Sequence, residues 1–452
     1  MSQIVMPPSQ QPSLSELYSP HIASKFSTFL TIMERTGWEH LLISSGAELV
    51  QFRDDQHYPF KVNPYFKEWL PLTERPNCYL LISEDEARPK LFVKECNDYW
   101  HSEPETLPQG YEGAIEVCSY CDTPGLFAQL PRDTRWLAYL GPKMSAMSGF
   151  SDTQRNPQAL MNQIDWLRAT KSPYEQACMR RANQIAVRGH NAAEKAFKAG
   201  KSEMAIRQDY LQAVQCTGQE LPYDAIVAVN EHAGVLHHTR LQREAPEEMR
   251  SLLLDAGVNV NGYASDITRT YAAKKKSTFA KLVAALDEAQ QQLIATIAPG
   301  MSYVELHLDM HRRIGEILIE FGIIQCDLSV AMELGLTLPF LPHGLGHLLG
   351  VQVHDKGGHQ LAPDGGDNPP PMHHHHLRLT RTIEAGQVFT IEPGIYFIPS
   401  LLEPVRAGIY NEHVNWELVD ELAPYGGIRI EDNVLVTENG VENMTRDAFA
   451  AA

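Results

Sequence analysis

The 452-residue chain is poor in cysteine and in positive charge. It contains 7 cysteines, and its 38 Lys and Arg residues face 56 Asp and Glu residues, which gives a formal net charge of −18. A sparse, odd number of cysteines in so long a chain favours reduced thiols over a disulfide framework. The negative charge repels phosphate backbones, so we expect no sequence-independent binding of nucleic acid.

Long apolar runs are also missing. No stretch approaches the roughly 18 apolar residues of a membrane span. The first residues, MSQIVMPPSQ, have neither the basic region nor the apolar segment of a secretory signal. We therefore expect no membrane association and a cytoplasmic location. HExxH, GxSxG and P-loop patterns are absent too, which removes support for the common zinc proteases, serine hydrolases and nucleotide hydrolases.

The composition present is that of an ordinary globular protein, with 43% hydrophobic and 21% charged residues. A domain boundary is predicted near Lys171, because Ser172-Pro173-Tyr174-Glu175 has the pattern of a capped helix start. We expect residues 14–170 to form a smaller α/β domain, with a helix over His21–Arg35 and strands at its apolar runs. Residues 171–450 would form the larger, catalytic domain.

A predicted hairpin brings two aspartates together. Asn261-Gly262 separates two strand-like runs, a strong signal for a two-residue turn. Centring the turn there pairs Asp255 with Thr268, and Asp266 then faces the same side as Asp255. Diagonal neighbours of this kind lie within about 7–8 Å. Two buried carboxylates so close repel unless they share a proton or a cation.

Further acids and imidazoles follow in the same half of the chain. His343 and His347 belong to LPHGLGH, and His354 follows shortly after. Glu392 ends an apolar run at Pro-Gly. In the alternating segment Ile428–Val434, predicted as one strand, Arg429 and Glu431 share a face, so Arg429 is placed to orient the acid.

These residues together predict a dinuclear metal site. Four acids (Asp255, Asp266, Glu392 and Glu431) balance the charge of two divalent ions, and His347 adds a neutral nitrogen. Oxygen-rich ligation with one imidazole suits Mn²⁺, with Co²⁺ or Zn²⁺ as alternatives. Four consecutive histidines, His373–His376, invite a second metal hypothesis. The sequence alone favours a solvated loop there, with only adventitious metal binding, because adjacent residues rarely converge on one ion.

The motifs LDAG…NGYASDITRT, LPHGLGHLLGVQVHD, FTIEPGIYFI and GGIRIEDNV resemble those of the M24 metallopeptidases. The resemblance is strongest to bacterial Xaa-Pro dipeptidases (prolidases) and the related organophosphorus acid anhydrolases, and YPFKVNP points to the same branch. It implies an α+β protein. A C-terminal pita-bread domain, an antiparallel sheet with helices outside, would follow a smaller creatinase-like α/β domain.

The resemblance also implies roles for particular residues. Asp255, Asp266, His347, Glu392 and Glu431 match the ligands of two metal ions per subunit, and Arg429 matches the arginine behind them. The residues that match catalytic or substrate-binding positions are His343, His354, His237, Tyr223, Leu236, Tyr303 and Val353. Asp55 and Trp100 match residues lent to a partner's site, which implies a homodimer or a dimer of dimers.

The implied reaction is hydrolysis of Xaa-Pro dipeptides by a metal-bridging hydroxide. His354 would stabilise the oxyanion, Glu392 would move the proton, and His343 would help to hold the proline carboxylate. Organophosphorus triesters or fluorophosphonates are possible side substrates. Two alternatives stay open at this point: an aminopeptidase that cleaves longer Xaa-Pro peptides, and a catalytically inactive pita-bread binding module.

Overall fold

A computed structural model of the chain describes residues 12–95, 99–100 and 105–452. The first third is an α/β unit. Its elements, in chain order, are α1 (Leu14–Thr36), β1 (His40–Ser44), α2 (Pro64–Lys67), β2 (Tyr79–Ser83), β3 (Lys90–Lys94), β4 (Glu116–Tyr120), α3 (Thr123–Phe127), β5 (Leu137–Leu140) and α4 (Gln158–Arg168).

The five strands of this unit form one mixed sheet in the order β4-β3-β2-β1-β5, parallel at both edges and antiparallel in the middle. Helix α1 begins earlier than the predicted His21. Ser13 and Glu16 form a capping box that satisfies the first free backbone N–H groups, so the helix starts at Leu14.

The rest of the chain is longer and richer in antiparallel pairs. Its first elements are α5 (Pro173–Lys198), α6 (Glu203–Val214), β6 (Ile226–Val229), β7 (Ser251–Asp255), β8 (Asn259–Val260), β9 (Tyr263–Ala264), β10 (Thr268–Ala272), α7 (Thr278–Ile294), α8 (Tyr303–Glu320) and α9 (Leu328–Glu333). They are followed by β11 (Gln360–Ala362), β12 (Gly365–Asp367), β13 (Val388–Ile391), β14 (Gly394–Tyr396), α10 (Pro399–Arg406), α11 (Trp416–Leu422), β15 (Gly427–Arg429), β16 (Asp432–Thr437), β17 (Gly440–Asn443) and α12 (Met444–Ala450).

The strands of this larger unit pair antiparallel in short sheets, chiefly β10-β7-β6 and β13-β16-β17, with helices packed against them. The predicted α+β class, with an α/β unit before an antiparallel one, is therefore confirmed. Within the residues that the structure describes, no helix combines the length and the apolar character needed to cross a bilayer.

The predicted hairpin is confirmed in its register. Thr268 lies opposite Asp255, and Val260 lies opposite Tyr263 across the turn. Asn261 and Gly262 both have positive φ, at 50° and 88°, as a turn that follows the twist of the strands requires. The register therefore places Asp255 and Asp266 on the same face of the hairpin.

The segment predicted as a single strand over Ile428–Val434 is divided in two, which corrects that prediction. Strand β15 pairs with β14 and ends at Arg429, whereas β16 pairs with β13 and begins at Asp432. Between them Glu431 forms an isolated antiparallel bridge with Thr268 of β10. The chain thus crosses from one small sheet to the next at Glu431, and this crossing joins the sheets at the candidate site.

The two units share a core. Trp69 and Leu70 of the first unit belong to the same buried cluster as Tyr263 and Leu349 of the second. The Tyr263 hydroxyl donates to Glu175 Oε1 (2.8 Å) at the start of α5. Ser172 caps α5 as the sequence predicts, with Pro173 in its first turn. The first unit therefore packs directly against the hairpin through a shared core.

Gly257→Ala should distort the hairpin. A Cβ at Gly257 would lie 1.9 Å from the backbone oxygen of Ser265, so the strands must separate where they carry the two aspartates. Overpacking of this kind costs about 1–3 kcal/mol of unfolding free energy. Chemical denaturation should show that loss, whereas Gly149→Ala, where a Cβ meets open space, should leave the value nearly unchanged. Equal stability of the two variants would contradict the close approach.

Candidate metal centre

Five side chains from separate elements point to one place. Asp255 ends β7 and Asp266 precedes β10, so the hairpin supplies two. Glu392 directly follows β13, and Glu431 lies at the crossing between β15 and β16. The fifth is His347, whose segment runs beside β13: the backbone N–H of Thr390 donates to the His347 carbonyl (2.9 Å).

His347 lies among the acids. Its Nε2 is 3.4 Å from Asp266 Oδ2, 3.6 Å from Glu392 Oε1 and 4.0 Å from Glu431 Oε1. One ligand atom each from Asp266, His347 and Glu431 lies within 4.8 Å of the other two. The sequence-predicted ligands therefore face a common space, with Asp255 held beside Asp266 by the hairpin register.

The acids are crowded and largely buried. Burial raises the pKa of Glu392 to about 7, and His347 and Arg429 offset only part of that rise. Burial likewise raises the pKa of Asp255, and that of Glu431 rises well above its usual range, with repulsion from Asp266 adding to it. Proximity of several carboxylates in a buried site disfavours their joint ionisation unless positive charge is present.

The donor set fits divalent cations. Asp255 Oδ1 is buried and has no hydrogen-bond partner among the described residues. His347 Nδ1 lies 3.0 Å from the carbonyl of Leu348, to which it donates, so Nε2 is the ring nitrogen that faces the acids and is placed to meet a cation. An unsatisfied carboxylate oxygen and an oriented imidazole nitrogen beside three further acids form a cation site.

Arg429 braces the acids from behind. Its Nη2 donates to Asp255 Oδ2 (2.7 Å), and its Nε donates to the Thr268 hydroxyl (3.3 Å). That hydroxyl in turn donates to Glu431 Oε2 (2.7 Å). Asp255 and Glu431 therefore each use one carboxylate oxygen in a hydrogen bond within the protein, and the other oxygen faces the common space. Residues that support metal ligands commonly orient them in this way.

His343 joins the same network through a residue that the sequence analysis missed. The Tyr396 hydroxyl accepts from Arg429 Nη1 (2.9 Å) and lies 2.8 Å from His343 Nε2. Burial, together with Arg429, lowers the pKa of His343 to about 3, so the ring is neutral. Strand pairing could have revealed Tyr396: Gly394 lies opposite Arg429, and Tyr396 is two residues further on the same face.

Glu203 is a second residue that the sequence did not reveal. Its carboxylate accepts from the backbone N–H groups of Val229 (2.9 Å) and Gln242 (2.7 Å). It also contacts the rings of His232 (2.7 Å) and His238 (2.9 Å). This buried acid therefore fixes the segment that carries Leu236 and His237, and its only sequence signal was its position after the N-cap Ser202.

A cavity of about 1030 Å³ opens beside the acids. Asp255 and Asp266 form part of its wall. Of the predicted catalytic and substrate-contacting residues, the cavity is lined by Tyr223, His237, Val353 and His354. The Tyr223 hydroxyl donates to Asp266 Oδ1 (2.6 Å), and the His354 ring lies 4.5 Å from that of His347.

Other predicted residues lie further from the cavity surface. Leu236 is half-buried next to His237. Tyr303 is completely buried, and its hydroxyl donates to the Thr390 carbonyl (2.8 Å), so it lies behind the candidate metal ligands. Asp55 and Trp100 are exposed on the first unit and are not among the residues described as lining the cavity of their own chain.

Comparison with known families gives two matches. The model of metallopeptidase family M24 matches residues 177–438, which is more than half of the chain. The model of the N-terminal domain of Xaa-Pro dipeptidase matches residues 16–166.

Individual relatives agree with these matches. The chain is 47% identical to the Xaa-Pro dipeptidase of Edwardsiella ictaluri, over 97% of this chain and all of that protein. It is 45% identical to the Xaa-Pro dipeptidase of Escherichia coli O1:K1, over 96% and 99% of the two chains.

Solved structures share the fold. Aminopeptidase P from E. coli, in its low-pH form, superposes with a TM-score of 0.70 at 23% identity, covering 94% of this chain and 95% of that one. Proline aminopeptidase P II from Yersinia pestis gives 0.69 at 22%, over 97% and 100%.

Arg429→Met should destabilise the protein most when divalent ions are removed. The substitution keeps much of the side-chain volume but leaves Asp255 and its neighbours without their buried cation, a change that costs about 3–5 kcal/mol. Thermal unfolding with a chelator should show the full loss, and excess Mn²⁺ should restore part of it. Arg135→Met, at an exposed ion pair, serves as the control. A variant as stable as the parent protein in chelator would contradict the bracing role.

Proposed function

Because the chain belongs to metallopeptidase family M24, we propose that it hydrolyses Xaa-Pro dipeptides at a centre of two divalent metal ions. The observation that carries the proposal is the convergence of Asp255, Asp266, His347, Glu392 and Glu431 beside a cavity, with one Asp255 oxygen lacking a partner. Relatives named Xaa-Pro dipeptidase match nearly the whole chain, which supports this substrate class.

The donor chemistry suggests the metal. Four carboxylates and one imidazole favour Mn²⁺, and Co²⁺ or Zn²⁺ are alternatives. Held by Asp255, Asp266, His347, Glu392 and Glu431, two such ions would lower the pKa of a bound water and polarise the scissile carbonyl. The four negative charges of the acids match the four positive charges of the ions, which relieves the repulsion described above.

The protein groups around this centre move protons and hold charge. Glu392 is the proposed base: it accepts the proton of the attacking water and passes it to the proline nitrogen, which has no N–H of its own. His354, at the cavity wall beside His347, stabilises the negative charge that develops on the scissile carbonyl oxygen. Arg429 keeps Asp255 in place while these charges change.

Recognition of a dipeptide requires a group for the proline carboxylate. His343, held by Tyr396, and His237, at the cavity wall, are the proposed contacts. A site that binds this terminal carboxylate closely excludes peptides that continue beyond proline. We propose that residues 171–450 form the catalytic domain and carry these roles. Residues 14–170 contribute Lys61 and Lys67 to the wall of the cavity.

The proposed active form is a homodimer, or a dimer of dimers, in the cytoplasm. The first unit exposes large apolar side chains near Asp55: Leu49 at 69%, Phe52 at 89% and Tyr58 at 55%. Apolar patches of this kind mark interaction surfaces. A second copy that covers them would bring Asp55 close to its own cavity, and we propose, from the family resemblance, that Trp100 contributes there as well.

Organophosphorus triesters or fluorophosphonates are proposed as side substrates. Their tetrahedral phosphorus centre is open to attack by the same activated water. The cavity, of about 1030 Å³, has room for such compounds.

Assays of Gly-Pro and Gly-Pro-Ala in parallel test the proposed reaction. With Mn²⁺ added, Gly-Pro should be cleaved at least about 100-fold more efficiently in kcat/KM, a difference of some 2.7 kcal/mol in transition-state binding. Efficient release of Gly from Gly-Pro-Ala would instead identify an aminopeptidase.

Asp266→Asn provides the matched loss of function. It should reduce Gly-Pro cleavage to background while the circular dichroism spectrum is unchanged, whereas Asp224→Asn, an exposed aspartate of the same cavity, should stay active. Normal turnover by the first variant would contradict the dinuclear centre.

Phe52→Asp should weaken the dimer. A charge at this exposed apolar position opposes burial against a second copy. Light scattering should show a shift toward the monomer, with a parallel fall in Gly-Pro hydrolysis because Asp55 acts across the interface. Phe52→Leu is the conservative control. An unchanged mass in solution would exclude this surface as the interface.

A further inference from the structure

Three histidines outside the proposed catalytic centre form a cluster of their own. His307 and His311 lie one turn apart on α8, and His374 reaches them from the histidine-rich loop. Each ring offers one nitrogen within 4.8 Å of the other two, and the ring centroids are 4.6–4.8 Å apart. The expectation of a wholly solvated His373–His376 loop is thus corrected at His374, whereas His373, His375 and His376 are exposed.

The cluster is buried and its hydrogen bonding is incomplete. His307 and His311 are each only 1% exposed. Nε2 of His311 and Nδ1 of His307 have no hydrogen-bond partner within the described part of the chain. Buried polar atoms are nearly always satisfied, so the orphaned Nε2 of His311, in a group of three imidazoles, calls for a ligand. By contrast, the carboxylate of Glu203 is fully satisfied by the histidines and backbone groups around it.

Thr337 sets the orientation of His311. The Thr337 hydroxyl lies 3.0 Å from His311 Nδ1 and is itself buried. When Nδ1 donates to this hydroxyl, the lone pair of His311 stays on Nε2. Metal-binding histidines commonly have their second nitrogen fixed in this way.

We propose that His307, His311 and His374 bind one divalent ion of the zinc class, separate from the five-ligand centre. Three imidazoles without a carboxylate suit Zn²⁺ and disfavour Mn²⁺, whereas the carboxylates of the acid-rich centre also suit Mn²⁺. We therefore expect zinc, and not manganese, at the histidine cluster. The inference does not depend on the catalytic activity proposed above.

The distances are close to those of a metal complex. His307 Nε2 and His374 Nδ1 are 2.8 Å apart. Two nitrogens on one tetrahedral zinc ion, at bond lengths of about 2.0–2.1 Å, lie about 3.3–3.4 Å apart. For binding, this pair needs to separate by only about half an ångström, and His311 needs to approach from a distance of at most 4.8 Å.

An ion at this position would fix the loop beside the proposed active site. A Cβ on Gly344, the neighbour of His343, would lie 2.8 Å from Leu377 Cα and 3.1 Å from the His376 carbonyl oxygen. The loop after His374 therefore packs directly on the backbone next to His343. Zinc would tie this loop to α8 and so support the His343 segment from outside.

Metal titration of the full-length, Mn²⁺-loaded protein tests the proposal. Zn²⁺ is added in steps, and bound zinc and manganese per chain are measured after desalting. His374→Ala should bind one zinc equivalent per chain less than the parent protein. Thr337→Val should keep the site but weaken its zinc affinity about 10–100-fold, because it removes the group that orients His311.

His373→Ala is the matched control, since it removes an exposed histidine from the same loop. It should retain the full zinc stoichiometry. Thermal unfolding provides a second readout: zinc should raise the midpoint of the parent protein and of His373→Ala, but not that of His374→Ala. Equal zinc binding by His374→Ala and the parent, or equal loss in both alanine variants, would overturn the proposal, the latter by showing adventitious capture by the loop.

Discussion

Repulsion among four buried carboxylates is the constraint on which the candidate site depends. Asp255, Asp266, Glu392 and Glu431 are largely buried beside the cavity, and one guanidinium cannot neutralise them all. Burial without compensation would cost several kcal/mol for each ion. Divalent cations would offset that cost. The buried carboxylates that destabilise the fold without metal are therefore the same groups that would hold the catalytic ions.

The strand pairing holds the four acids close together. Each acid comes from the end of a strand or from a crossing between sheets, where the backbone is held on both sides. Thr268 alone makes three of the contacts that position the acids. It pairs with Asp255 across the strands, forms a backbone bridge with Glu431, and donates its hydroxyl to the Glu431 carboxylate. Rigid placement of this kind keeps metal ligands in position before the metal arrives.

The sequence predicted the local part of this arrangement well. The Asn261-Gly262 turn determined the pairing of Asp255 with Thr268 because a two-residue turn has one register. Non-local contacts were harder to predict. The predicted strand is broken after Arg429 because its first part pairs with β14 and its second part pairs with β13, in a different sheet. Tyr396 and Glu203 were missed because their roles come from partners far along the chain. His374 was misjudged for the same reason, since its partners lie on α8.

Diffraction at the manganese absorption edge, from crystals grown with Mn²⁺, tests the central claim most directly. The account predicts two anomalous peaks about 3.5–4 Å apart, in contact with Asp255, Asp266, His347, Glu392 and Glu431. An absence of peaks at these side chains, with the four acids still facing one another, would show that the carboxylates are stabilised without metal and would contradict the account.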